Sequence, residues 1–177
     1  MRIIAGTWRG RRIEFPRGTN ARPTPDRVRE TLFNWLQPHV RGARCLDLFA
    51  GSGILGFEAL SRGAERAWLV EHDRGLCAAL SEHARRLGAS AIVAREDAAR
   101  FLAGSPPASF DIVFLDPPFT VPIEPLLAGL SPVLREAALV YVERSARDGL
   151  PTDERLKWRK TSRAGAVCYG LAMLAAP

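Results

Sequence analysis
The residues best placed to do chemistry are Asp116-Pro117-Pro118-Phe119, which follow the apolar run Ile112-Val113-Phe114-Leu115 without a break. A β-rich run that ends in Asp and two prolines reads as a buried strand whose ladder stops there, because proline has no N–H to donate. The carboxylate is then left at the carboxyl end of the strand, the edge at which open α/β sheets bind ligands. Two prolines stiffen the backbone, so the Asp116 carboxylate, the Pro117 carbonyl and the Phe119 ring make a rigid set of two acceptors and one flat apolar face. Such a set suits a planar group that carries an NH2. An Asp-Pro pair alone would be read as a strand-ending turn; the whole tetrapeptide behind a buried strand argues for function.

A second cluster lies upstream. Leu46-Asp47-Leu48-Phe49-Ala50 runs into Gly51-Ser52-Gly53-Ile54-Leu55-Gly56, the pattern of a strand, a tight glycine turn and an apolar helix reaching to about Ser61. Glycines let the backbone come close to a ligand, and the start of a helix offers free N–H groups. About 20 residues on, Ala67-Trp68-Leu69-Val70 ends in Glu71, the place expected for an acid that grips a ribose diol. The same spacing serves a nicotinamide dinucleotide fingerprint, or a glycine turn of structural purpose alone, so the spacing does not choose the cofactor.

The elements that must position these clusters fit one compact domain. At 177 residues, 47% apolar and 25% charged, the chain can bury one good core. Its start is basic and β-like, without the apolar core of a signal peptide, and no apolar stretch reaches membrane-spanning length. Cys45, Cys77 and Cys168 are widely separated, and His39, His72 and His83 lack metal-ligand spacing, so neither a disulfide framework nor a metal site is expected and a reducing cytoplasm is. Charge is uneven. Residues 1–44 hold ten arginines and three acids, a net +7, whereas residues 45–177 hold 15 basic and 16 acidic side chains, a net −1. Codon bias can explain why all but two of the 25 basic residues are arginine; it does not explain the split. A basic arm of this kind holds a polyanion through counterion release.

Residues 2–5 and 11–15 read as two short strands joined through Gly6 and Gly10, and Arg17 to Arg22 as a polar connector. Thr24 as N-cap, Pro25 as the first helical residue and Asp26 in the first turn start a helix with Val28, Leu32, Trp35 and Leu36 on one face, closed by Pro38. Arg27 and Arg29 fall on another side, as solvated charges or as RNA and cofactor-edge contacts. From Ala43 onward, strands are expected at about 44–48, 67–71, 90–94, 110–115 and 137–143, with helices between them such as Asp73 to Leu87. That alternation argues for an α/β fold with a parallel sheet. Lys157 to Thr161 and Val167 to Leu174, around Arg163-Ala164-Gly165, read as a closing antiparallel pair.

Together the two clusters resemble the class I S-adenosylmethionine-dependent methyltransferases that modify exocyclic amines. The N-terminal run Arg2-Ile3-Ile4-Ala5-Gly6-Thr7-Trp8-Arg9-Gly10-Arg11 and the segment Arg22 to Leu36 are similar to those of the bacterial small-subunit (16S) ribosomal RNA guanine-N2 methyltransferase family, over nearly the whole chain. The resemblance implies a Rossmann-like, seven-stranded methyltransferase sheet, mostly parallel with a C-terminal antiparallel hairpin. It divides the chain into a basic hairpin-and-helix extension for RNA over residues 1–42 and a methyltransferase domain over 43–177. It places Asp47, Phe49 and the Gly51 and Gly53 backbone at the methionine part of S-adenosylmethionine and Glu71 and His72 at the ribose. Asp97 and Ala98 fall at the adenine, with Glu96 an alternative to Asp97 and helix capping a second role for Asp97. Asp116, Pro117, Pro118 and Phe119 form the catalytic tetrapeptide, and Arg2, Arg9, Arg11, Arg12, Arg22 and Arg27 the RNA contacts. The implied partner is 16S ribosomal RNA, within a small-subunit assembly particle, for a cytoplasmic monomer without metal or membrane. His83 stands where the family is expected to have Asn, and Pro25 where Thr is more usual. Methylation of a pyrimidine carbon through a cysteine adduct lacks its nucleophile, since none of the three cysteines sits beside a strand-end proline. Adenine N6 or cytosine N4 remain alternative targets, in RNA or DNA, and a nicotinamide-dependent oxidoreductase or a non-catalytic RNA-binding module remain alternative classes.

Overall fold
A computed structural model describes residues 1–14 and 24–175. Its centre is a seven-stranded sheet in the order β3-β2-β1-β4-β5-β7-β6, with β1 (Arg44–Asp47), β2 (Arg66–Glu71), β3 (Ala91–Arg95), β4 (Phe110–Leu115), β5 (Leu134–Ser145), β6 (Leu156–Ala164) and β7 (Val167–Leu174). The first five strands are parallel, and β7 pairs antiparallel with both β5 and β6. The expected strands and the closing hairpin are therefore present, with β5 and β6 longer than their apolar runs indicated. The chain winds outward from β1 to β3, returns, and continues from β4 on the other side. That reversal puts the switch point between β1 and β4, where an open α/β sheet has its ligand crevice.

The helices are α1 (Asp26–Leu36), α2 (Ile54–Ser61), α3 (Arg74–Leu87), α4 (Ala98–Gly104) and α5 (Glu124–Leu130). Sheet alternation sends Cys45, Phe114, Leu139, Tyr141 and Tyr169 into the core beneath α1, α2 and α3, and Leu46, Val113, Leu115, Val140 and Val142 into the core beneath α4 and α5. Every residue of α2 is buried, since sheet and N-terminal hairpin cover it from two sides. At Gly56 an added Cβ would lie 2.3 Å from Leu69 Cδ2, so only glycine lets α2 approach β2 this closely. Asp73 caps α3 by accepting from Leu76 N at 2.8 Å, and Gly88, at φ 61°, ends it. The short helix α5 fills the connection between β4 and β5, where the strand–helix alternation places a helix without giving its bounds.

The N-terminal segment departs from expectation in three places. The hairpin contains one antiparallel bridge, Arg2 to Arg12, rather than two strands, with backbone bonds on either side of it such as Ile3 N–H to the Arg11 carbonyl at 3.0 Å and Ile13 N–H to the Met1 carbonyl at 2.9 Å; Ile3 and Ile13 insert into the core beneath α1 to α3 and hold it there. Thr24 does not cap α1. Pro25 occupies the N-cap position without a side-chain bond, and the buried Thr24 hydroxyl is hydrogen-bonded to Asp116 instead. Arg29 is neither solvated nor a surface contact: it is fully buried, donates to the Arg2 carbonyl at 3.1 Å through two nitrogens, and pairs with Asp26 at 2.6 Å and Glu58 at 3.6 Å. Glu58 in turn accepts the Ile4 and Ala5 N–H groups at 2.7 and 3.0 Å. This charge cluster ties arm, α1 and α2 together, and the desolvated Arg29 is tolerated only because carboxylates and a carbonyl surround it.

Candidate active site at the carboxyl edge of the sheet
The β1–β2 side of the crevice is built around Glu71. Its Oε2 accepts Gly51 N–H at 3.1 Å and its Oε1 accepts Asp73 N–H at 2.9 Å, with His72 Nδ1 3.1 Å away. One carboxylate thus fixes the glycine turn against the end of β2. A carboxylate has about four lone-pair sites, so after two backbone bonds Glu71 still has capacity for a diol. Gly53 has φ 74°, a conformation that side-chain-bearing residues rarely adopt, and passes the chain directly into α2. Asp47, the last residue of β1, is 3% exposed, and its Oδ2 accepts Gly56 N–H at 3.2 Å. Burial pushes its pKa up to about 7; the Gly56 bond works against the rise and nearby Glu71 adds to it. Phe49 is half-buried beside the turn and His72 is exposed. At the end of β3, Asp97 caps α4 by accepting from Ala99 and Arg100 N–H at 2.9 and 3.2 Å, buried Ala98 follows it, and Glu96 faces Arg100 at 3.5 Å.

The β4–β5 side is held differently. Leu115 is in register with Val142, so Asp116 lies beside Glu143, and both face the α1 side of the sheet. Asp116 is half-buried, Pro117 buried, Pro118 exposed and Phe119 half-buried. Val121 N–H closes a turn onto the Pro118 carbonyl at 2.8 Å, presenting the Phe119 ring. Arg144, 9% exposed, reaches under that turn: Nη2 donates to the Phe119 carbonyl at 3.0 Å and Nη1 to the Val121 carbonyl at 3.3 Å, with the guanidinium 5.9 Å from the Phe119 ring centroid. Tyr141 Oη donates to Glu143 Oε2 at 2.6 Å.

Carboxylates gather here. Burial holds the Asp116 carboxyl well above the usual range, reinforced by Glu143 and then Asp47 and opposed by the Thr24 bond and by Arg144. Burial likewise raises Glu143, against the Tyr141 bond. Three acids around one crevice disfavour one another's charge and favour a cationic ligand. The structure thus brings Asp47, the glycine turn, Glu71 and Asp116 to one edge. Tyr141, Glu143 and Arg144 were not singled out from the sequence, and Thr24 only as an N-cap. A signal was available, since a buried strand reading Tyr-Val-Glu-Arg carries two charges it would otherwise avoid.

The match to known proteins covers both halves of this crevice. The family profile described as Conserved hypothetical protein 95 matches residues 1–172. Ribosomal RNA small subunit methyltransferase D of Escherichia coli (strain K12) is 45% identical over 178 residues, covering 97% of this chain and 88% of that protein, and the protein of the same name from Haemophilus influenzae is 41% identical, covering 97% and 92%. The chain belongs to the ribosomal RNA small subunit methyltransferase D family. A solved structure described as a putative methyltransferase, yhhF, from Escherichia coli superposes with a TM-score of 0.89 at 42% identity, covering 100% of this chain and 99% of that one. A SAM dependent methyltransferase from Aquifex aeolicus shares the fold, with a TM-score of 0.67 at 16% identity over 86% and 94% of the chains.

The basic N-terminal segment of this chain occupies two levels of the molecule. Arg9, Arg11 and Arg12 are exposed on the hairpin, and Arg2 is exposed and bonds the Gly10 carbonyl at 2.8 Å. The hairpin tip docks on the far end of α2, with Thr7 N–H on the Ser61 carbonyl at 2.8 Å and Trp8 N–H on Ser61 Oγ at 2.9 Å. Exposed Arg27 lies instead in the first turn of α1. Arg22 and the connector Arg17 to Arg22 lie outside the described residues. His83, where the resemblance led to an expected Asn, is buried edge-on to Phe57 and within 2.9 Å of the Glu14 carbonyl, a structural role. Among the described residues no cluster of His, Cys, Asp and Glu could hold a metal ion, and no helix is long and apolar enough to cross a membrane.

Proposed function
We propose that this protein transfers a methyl group from S-adenosylmethionine to the N2 amine of a guanine in small-subunit ribosomal RNA. The observation that carries the proposal is the placement of Asp116 and Pro117 at the end of β4, directly across the switch point from Asp47 and the glycine turn. The crevice fits the cofactor on its own chemistry: Glu71 retains acceptor capacity for the ribose hydroxyls, and the carboxylates Asp47, Asp116 and Glu143 suit a sulfonium cation. When bound, S-adenosylmethionine supplies the electrophilic methyl group. The chain's residues deal with the nucleophile. An aromatic amine is a poor one, because its lone pair is delocalised into the ring. The Asp116 carboxylate and the Pro117 carbonyl accept its two hydrogens, which favours a pyramidal nitrogen with its lone pair directed at the methyl carbon, and Asp116 takes the proton released. Phe119 stacks on a base withdrawn from its helix or loop, and the rigid Pro117-Pro118 backbone keeps ring and carboxylate in one geometry. Arg2, Arg9, Arg11, Arg12, Arg22 and Arg27 are assigned to RNA phosphates, Asp97 to the adenine amine, and the working form to a monomer acting on an assembling subunit in the cytoplasm.

The test is mass mapping of methylated nucleosides in small-subunit RNA from cells with and without the protein. One N2-methylguanosine should disappear with the gene. A lost N6-methyladenosine or N4-methylcytidine would instead name a different exocyclic amine, and inosine at the target should accept no methyl group.

A further inference from the structure
Beyond Phe119 and Arg144 the carboxyl edge continues into a groove with no part in holding the cofactor or the target base. Arg144 on β5 is in register with Cys168 on β7, and Cys168 with Arg163 on β6. Paired residues of an antiparallel ladder point to one face, so the three lie in a row leading away from the Phe119 turn. At the end of the row opens a groove of about 900 Å3, lined by Trp158, Thr161, Arg163, Lys157 and the segment 150–154. Its floor is made for a ring. A Cβ at position 170 would lie 2.6 Å from the Trp158 Cζ3 atom, so glycine there allows the indole to lie against β7, and Trp158 stays partly exposed. Exposed Arg163 lies on the same face of the sheet as Trp158, and exposed Lys157, the preceding residue on the edge strand, also lines the groove. Of the acids on the rim, Asp153 is neutralised by Arg155 at 2.6 Å, which also depresses its pKa to about 2, leaving Glu154. Cations on an edge strand also deter strand-to-strand association, but that role gives no reason for an aromatic platform beside them.

We infer that this groove binds single-stranded RNA adjoining the target nucleotide, with one base stacked on Trp158 and phosphates held by Arg163 and Lys157. The inference rests on RNA being the substrate and extends the footprint from Asp116 across Arg144 to the outermost strand. Stacking on an aromatic side chain and point contacts to phosphate are how sequence-tolerant single-strand sites are built.

The experiment uses the full chain, ten-nucleotide oligouridylate as binding probe, and deproteinised small-subunit RNA as methyl acceptor. Oligouridylate should quench the wild-type tryptophan emission. Trp158→Leu should abolish most of the quenching and weaken binding roughly tenfold, while Trp158→Phe, which keeps a ring on Gly170, should recover most of the affinity. Arg163→Ala with Lys157→Ala should flatten the salt dependence by about 0.7 for each phosphate that is no longer neutralised. In the methyl-transfer assay these variants should raise KM for RNA and leave kcat and S-adenosylmethionine affinity at wild-type values. Unchanged oligonucleotide binding, salt slope and KM in the Leu variant and the double-alanine variant would overturn the groove assignment. A fall in kcat with RNA affinity intact would do the same. Wild-type protein that binds oligouridylate through Trp158 yet transfers no methyl group would support the groove and refute the methyl-transfer assignment, so the two failures are separable.

Discussion
The two sides of the crevice hold their carboxylates by different means. On the β1–β2 side, Glu71 is gripped by two backbone N–H groups, from Gly51 and Asp73, which belong to a turn and a strand end that fold as one local unit. On the β4–β5 side, Asp116 depends on side chains from elsewhere in the chain: Thr24, just before α1, bonds it, Arg144 on β5 acts on it only through its charge, and Glu143 crowds it. Backbone donors arrive with the fold and cannot leave, so the first side is a rigid receptor. The second is a set of competing charges whose state responds to ligand and pH. That division suits a reaction in which one partner is only held and the other must be oriented and deprotonated.

The largest effect is expected where orientation of the nucleophile is lost. Asp116→Ala should reduce the single-turnover rate on the order of a hundredfold or more, with cofactor affinity nearly intact, because Asp116 belongs to the acceptor side. Asp116→Asn keeps a carbonyl acceptor and should retain more activity than Ala. Transfer by Asp116→Ala at close to wild-type rate would reduce the tetrapeptide to a strand-ending turn.

Next comes a stability effect at Asp47. A carboxyl whose folded pKa, about 7, lies above its unfolded value keeps its proton longer in the folded state, so its contribution favours folding at low pH and is lost as pH rises from about 4 to 7. Asp47→Asn removes that loss and keeps an acceptor for Gly56 N–H. Without cofactor, the variant should therefore be more stable than wild type by on the order of 4 kcal/mol at pH 8, and the difference should shrink toward pH 4. Thermal melts across that range that track wild type would show Asp47 ionised at little cost in the folded state.

Glu71→Ala should weaken S-adenosylmethionine binding by about 1 to 3 kcal/mol, since the ribose donors lose a charged acceptor and the Gly51 turn loses its anchor. Calorimetry showing wild-type affinity would remove Glu71 from the cofactor side. The smallest effect is expected at Glu143. Glu143→Gln removes a negative neighbour of Asp116, so the Asp116 pKa should fall and the acid limb of the pH profile for kcat/KM should move to lower pH. An unmoved limb would mean that Glu143 does not influence the group whose ionisation limits the rate.

Residue types and spacing were sufficient wherever a feature is local. The glycine turn, the acids ending β1 and β2, the Asp97 cap and the strand stop at Asp116-Pro117 each depend on a few consecutive residues, and their chemistry is written in that order: proline ends a ladder, glycine turns a chain, Asp caps a helix. Tertiary structure decided which distant segments meet. Nothing near Asp116 indicates that β5 lies beside it, so Glu143 and Arg144 entered the site only through the β4–β5 register. Thr24 has the sequence of an N-cap, but a partner across the crevice outcompetes the helix for its hydroxyl. Arg29 has the sequence of a surface charge, but the hairpin that closes over α2 buries it against Glu58 and Asp26. In each case local propensity is worth about a kilocalorie per mole or less, whereas satisfying a buried charge or hydroxyl is worth more, and only the assembled fold says which groups are buried together.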